Sequence, residues 1–98
     1  MKSVILLPPA DQEFLEAIDY YEQEFSAVSR AFIEEFLRSL EFIRQFPEAW
    51  QKVDRHTRKC LLKRFPYVIL YIVEETSIII TAVAHQHRHP DSYLRKAL

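Results

Sequence analysis

The chain has 98 residues, 49% hydrophobic and 28% charged, with 13 Lys+Arg against 14 Asp+Glu and a net charge of −1. It contains no glycine, which excludes the phosphate loop, the GxGxxG dinucleotide turn and the Gly-flanked nucleophile elbow, since each needs backbone that glycine alone adopts cheaply. No apolar run approaches the roughly 20 residues of a membrane span, and a single cysteine, Cys60, permits no internal disulfide and points to a reducing cytoplasm.

Val4–Leu7 is a short apolar run closed by Pro8-Pro9 and reads as a first strand, too short for a signal peptide. A proline suits the first helical turn, where its missing N–H would be unpaired. The next segment sets Ala10, Phe14, Ala17, Ile18, Tyr21 and Phe25 on one stripe and acids on the other, predicting a helix over Pro9–Glu24. Ser26 is placed to cap a second helix. Its stripe runs Val28, Phe32, Ile33, Phe36, Leu40, Phe42, Ile43 and Phe46 before Pro47 ends it. A junction of a residue or two makes the pair an antiparallel hairpin.

Glu48–Thr57 is polar apart from Ala49, Trp50 and Val53 and reads as a loop. Arg58–Leu62, Tyr67–Val73 and Ile78–Ala84 are rich in β-branched and aromatic residues, predicting three strands, the last two joined by a four-residue loop, Glu74–Ser77. Val68–Val73 and Ile78–Ile80 are apolar on both faces, which marks central strands. One sheet face would receive the helical hairpin; the other would need the C-terminal segment or a partner. The fold class is α+β, a two-layer β-α-α-β-β-β arrangement with the hairpin on a mainly antiparallel sheet, and residues 1–98 form one domain. Cys60 among bulky aliphatics reads as a packed structural thiol.

Charge is segregated. Residues 1–50 carry ten acids and four bases, whereas residues 51–98 carry nine bases, four acids and all four histidines. With a sequence pI near 6.4, general affinity for nucleic acid is not expected, though a local basic face is.

Ala17-Ile18-Asp19-Tyr20-Tyr21-Glu22, Phe32 with Ile43 and Pro47, Arg64-Phe65-Pro66-Tyr67 leading into Ile69-Leu70-Tyr71, and Ala82-Val83-Ala84-His85-Gln86-His87-Arg88-His89-Pro90 follow the order and spacing of a known group. In this the sequence resembles the RelE/ParE superfamily of toxins (plasmid stabilisation, type II toxin–antitoxin pairs) and lies closer to the ParE-like branch. The resemblance implies the same strand order and a small cytoplasmic toxin that needs no cofactor. A cognate antitoxin would neutralise it, in a toxin–antitoxin hetero-oligomer or beside a homodimer, with no membrane partner. The ParE-like branch binds a protein target, DNA gyrase. The alternatives are a RelE-like, metal-free endoribonuclease acting on messenger RNA at the ribosome, or a decayed member without toxicity.

Metal-free RNA cleavage needs a base, a cation for the phosphate and an acid for the leaving oxygen. If the chain is a ribonuclease, Arg88 is the cation, His85 or His87 the base, and Tyr93 lies near a C-terminal aromatic position of that branch. Against this, Val68 stands where ribonuclease members tend to carry arginine, and the loop that is Lys-rich in them holds Lys52, Arg55 and His56. Arg58, Lys59, Lys63 and Arg64 are candidate contacts to a target or phosphate, or else a solvated strand edge. His85, His87 and His89 alternate and could share one face, but no native metal site is expected there.

Overall fold

β1 (Ser3–Leu6), α1 (Ala10–Glu24), α2 (Ser26–Gln45), β2 (Thr57–Leu61), β3 (Tyr67–Val73) and β4 (Ser77–His85) follow one another in the computed structural model, which describes residues 2–86. The strands form one sheet in the order β1-β4-β3-β2. β1 runs parallel to β4, while β3 pairs antiparallel with both β4 and β2. The two strands that read as apolar on both faces are therefore the two central ones.

The helical hairpin turns on one residue. Phe25 is extended (φ −154°, ψ 130°) and serves as C-cap of α1 and N-cap of α2. Ser26 is thus the first helical residue rather than the cap, and its carbonyl accepts from Ser29 Oγ. The same extended geometry throws Phe25 off the apolar stripe and leaves it 70% exposed. Phe14 stacks on Phe36 at 4.1 Å and Tyr21 lies 5.3 Å from Phe32, the pairing of antiparallel helices. Ala17, Phe32, Phe36 and Ile43 are buried against Cys60, Ile69, Tyr71, Ile78 and Ile80 of the sheet. Each large apolar side chain fully buried this way stabilises the fold by about 1.5–3 kcal/mol. Phe42 and Phe46, on the predicted stripe, are instead exposed: Phe42 sits on the flank of the line through Phe32, Phe36 and Ile43, and Phe46 is the cap beyond α2, where a non-helical backbone (φ −133°, ψ 65°) takes it off the stripe.

Several boundaries differ from the sequence reading. Pro9 is the residue before α1, and β1 begins at Ser3 and ends at Leu6. Thr57 belongs to β2, where Asp54 Oδ1 accepts from the N–H groups of His56 and Thr57 just at its start, and Leu62 lies beyond the strand, its N–H bonded to Tyr67 O. The β3–β4 turn is tighter than a four-residue loop. Glu74 N–H donates to Ser77 O at 2.8 Å, leaving Glu75 and Thr76 at the tip, and the Lys2 ammonium donates to the carbonyls of Glu74 and Glu75.

A one-residue bulge interrupts β4. Leu70 opposes Ala82 and Tyr71 opposes Ile80, so Thr81 is the extra residue. Past Ile80 the outer edge of β4 has no β1 residue beside it. Glu13 of α1 fills the gap, its carboxylate accepting from Val83 N–H at 2.9 Å. On the sheet face away from the helices, Val68, Leu70 and Ala82 are buried with Val53 and Ala84 alongside. Among the described residues no helix is long and apolar enough to cross a membrane.

Candidate partner-binding site

The turn between β2 and β3 is built by short contacts. Leu62 N–H donates to Tyr67 O, and Tyr67 N–H donates to Phe65 O. The end of β4 is stitched to the same turn: Gln86 N–H donates to Pro66 O at 2.7 Å, and its side chain donates to Tyr67 O. Phe65 is drawn inward onto Tyr21 and Phe32, with centroids 5.1 and 5.3 Å away. Lys63 and Arg64 are therefore turned outward.

A carboxylate from α2 holds this turn. Glu35 Oε2 accepts from the backbone N–H groups of Lys63 (2.6 Å) and Arg64 (3.1 Å), and Oε1 accepts from Arg64 Nε at 2.9 Å. Burial raises the Glu35 pKa, but the Arg64 side chain and the two backbone donors outweigh it, so the carboxyl lies below its ordinary value. The Arg64 side chain stays 60% exposed, with its Cζ 5.9 Å from the Phe65 ring centroid. The sequence reading missed Glu35, because its partners lie 28 and 29 residues away. Its one local signal is its place between Phe32 and Phe36, at the border of the buried stripe.

His85 lies at the same end of the sheet, opposite Tyr67, with the rings edge to face at 5.2 Å. Tyr67 is buried against Tyr21 and Phe32. His87, Arg88, His89 and Tyr93 lie outside the described residues.

The other basic residues go elsewhere. Arg58 is no solvated edge: its guanidinium turns toward the segment after α2 and donates to Glu48 O and Trp50 O, at 3.2 and 2.7 Å. Tyr71 helps it, its hydroxyl donating to Pro47 O at 2.7 Å, and burial pushes that phenol up to about 12. Lys59 sits opposite Leu70 on the face away from the helices, its backbone N–H bonded to Gln51 O. Lys52, Arg55, His56 and Arg58 border a cavity of about 160 Å³ with Glu48, near Ile72 and Val73. The backbone N–H groups of His56 and Thr57 hold the Asp54 carboxyl beside it below its ordinary value.

Ile72 and Val73 close β3 at the end opposite Tyr67, so the loop cations and His85 are separated by about 18 Å of strand at ~3.3 Å per residue. Cys60 is buried, and burial together with the charge of Glu35 pushes its thiol up to about 11, as a packed thiol requires. Elsewhere on the surface Leu15, Phe25, Leu37, Phe42, Phe46 and Leu61 are exposed apolar side chains.

A family model described as the ParE toxin of the type II toxin–antitoxin system, parDE, matches residues 4–90. A solved structure, "Chromosomal ParDE TA system from P. aeruginosa", is similar with a TM-score of 0.74. It is 15% identical and the match covers 87% of this chain and 96% of that one; at that identity the likeness shows the fold. No curated protein matches the chain.

Proposed function

The chain belongs to the ParE toxin family of type II toxin–antitoxin systems, and on that premise we propose that it arrests growth by binding a protein, DNA gyrase, and is held silent by a cognate antitoxin. The observation that carries this reading is the family match over residues 4–90. Residues 1–98 act as one toxin domain in the cytoplasm.

The exposed apolar side chains support a binding role. A metal-free ribonuclease gathers base, cation and acid within a few ångströms of one phosphate. Here the loop cations Lys52, Arg55 and His56 lie at the end of β3 opposite His85, Val68 is buried, and the other residues of such a set, His87, Arg88 and Tyr93, lie outside the described residues. What the fold offers at its surface is apolar: Phe25 at the hinge, Leu15, Leu37, Phe42 and Phe46 on the helices, and Leu61 on β2. An antitoxin helix or strand laid on such side chains would bury area that this small core leaves open. The basic end with Lys63, Arg64 and His85, continuing in sequence to Arg88, is the surface for the target.

Controlled expression in bacteria, with plasmid supercoiling and protein synthesis followed separately, tests the reading. Loss of supercoiling and DNA damage before translation falls is the expected result. Rapid loss of translation with cleaved messages would establish the ribonuclease alternative, and normal growth would mark a decayed member. Co-expression of the neighbouring reading frame should restore growth.

A further inference from the structure

We propose that Arg64 is a pre-set anchor for a carboxylate on a protein partner, with Glu35 as its positioning residue; this rests on the reading that the chain acts by binding proteins. Glu35 is 6% exposed, and its Oε2 alone takes both backbone N–H groups of the turn. Those two bonds hold the backbone of the turn. The third bond, from Oε1 to Arg64 Nε, does something else: it fixes a side chain that remains 60% exposed. Ordering an exposed arginine costs rotamer freedom that a surface ion pair scarcely returns, so the turn itself gains little from it.

The gain is in presentation. With Nε occupied, the edge of the guanidinium left to solvent is the fork of the two terminal nitrogens. Among the described residues Glu35 is the one carboxylate within ion-pair distance of it. That fork matches a carboxylate through two parallel N–H···O bonds, a geometry lysine cannot reproduce. Phe65 lies beside the guanidinium and is itself packed into the core by Tyr21 and Phe32, which keeps the platform rigid. A partner carboxylate therefore meets an arginine already ordered, and the entropy of ordering it is not lost on binding. A nucleic-acid phosphate is the less fitting occupant. Affinity for a phosphate backbone grows with the number of cations that neutralise it, and here Lys63 alone accompanies Arg64 in the turn of a chain whose net charge is −1.

The test uses the full chain, labelled with ¹⁵N, and a blocked tetraglutamate peptide titrated at constant ionic strength. Saturable shifts of the Arg64 Nε–Hε signal are expected. Binding should weaken about tenfold in Arg64→Ala and nearly as much in Arg64→Lys, since the lysine keeps the charge and lacks the fork. Arg64→Lys binding as tightly as the wild type overturns the anchor, and so does an unmoved Arg64 signal. In Glu35→Gln, fast motion of the Arg64 Nε–Hε bond should appear and peptide affinity fall several-fold; unchanged order of that bond overturns the positioning role. Tighter Arg64-dependent binding of a single-stranded hexanucleotide than of the peptide replaces the carboxylate with a phosphate. Neither gyrase nor antitoxin enters these measurements, so their failure leaves the growth-arrest reading standing, and normal growth in the expression test leaves them intact.

Discussion

Replacing Glu35 by glutamine separates a buried electrostatic clasp from an ordinary helix residue. The carboxylate accepts three hydrogen bonds, two from backbone and one from Arg64. An amide oxygen can take two donors, but its NH₂ then faces the third, and the backbone bonds lose their charged acceptor. Bonds to a charged acceptor contribute about 1.5–3 kcal/mol each, without adding fully. The Arg64 arm is solvent-exposed and contributes at most about 1 kcal/mol. The expected loss is therefore about 2–3 kcal/mol at pH 7, a large share of the 5–15 kcal/mol typical of a domain.

The pH dependence carries the sharper test. Glu35 has a folded pKa below its ordinary value of 4.5. A depressed carboxyl stabilises above the unfolded pKa and loses that contribution as pH falls through the folded one. The wild type should lose part of its advantage on acidification and the glutamine variant should not, so their curves converge below about pH 4.5. Urea denaturation followed by fluorescence of Trp50, which packs against the core, measures this at pH 7 and pH 3.5. A gap under about 0.5 kcal/mol at pH 7, or one unchanged at pH 3.5, refutes the clasp.

Three further outcomes follow from the core and surface. Phe36→Ala removes a ring that is 1% exposed and stacked on Phe14, and should cost about 3–5 kcal/mol, read as a lower urea midpoint or outright unfolding in circular dichroism. Tyr71→Phe orphans the Pro47 carbonyl and should cost about 1–2 kcal/mol with the denaturant slope unchanged. Cys60, with a thiol at about 11, should resist iodoacetamide at pH 8 until urea unfolds the chain; rapid labelling of the native protein would contradict its burial.

Much of the fold was legible because it depends on periodicity. The stripes of both helices, the apolar run Val68–Val73 and the residue order identified the elements and the central strands. The exposed aromatics were misplaced for a geometric reason. Phe25, Phe42 and Phe46 fit the helical spacing, but spacing cannot show that Phe25 leaves the helix or how far the packed face extends. Arg58 reads as a strand-edge cation until the chain after α2 comes back over it. Glu35 resembles any solvated helix acid until the turn 28 residues later arrives. Side chains whose partners are distant in sequence leave no local pattern, and the candidate site is made mostly of these. The gathering of bases in the second half does not show that Lys63, Arg64 and His85 share one end of the sheet while Lys52, Arg55 and His56 take the other.

The pairing of β1 with β4 has a consequence for synthesis. β1 leaves the ribosome first, yet the residue that opposes Ser3 is Ser77, and Leu6 waits for Ile80. At roughly 5–20 residues per second, the first strand spends several seconds without its neighbour. The helical hairpin, whose contacts are local, can form long before. The sheet closes only when nearly the whole chain has been made, so a truncated product cannot assemble the toxin fold, and the time an antitoxin has to meet a growing chain before that fold exists is set by translation itself.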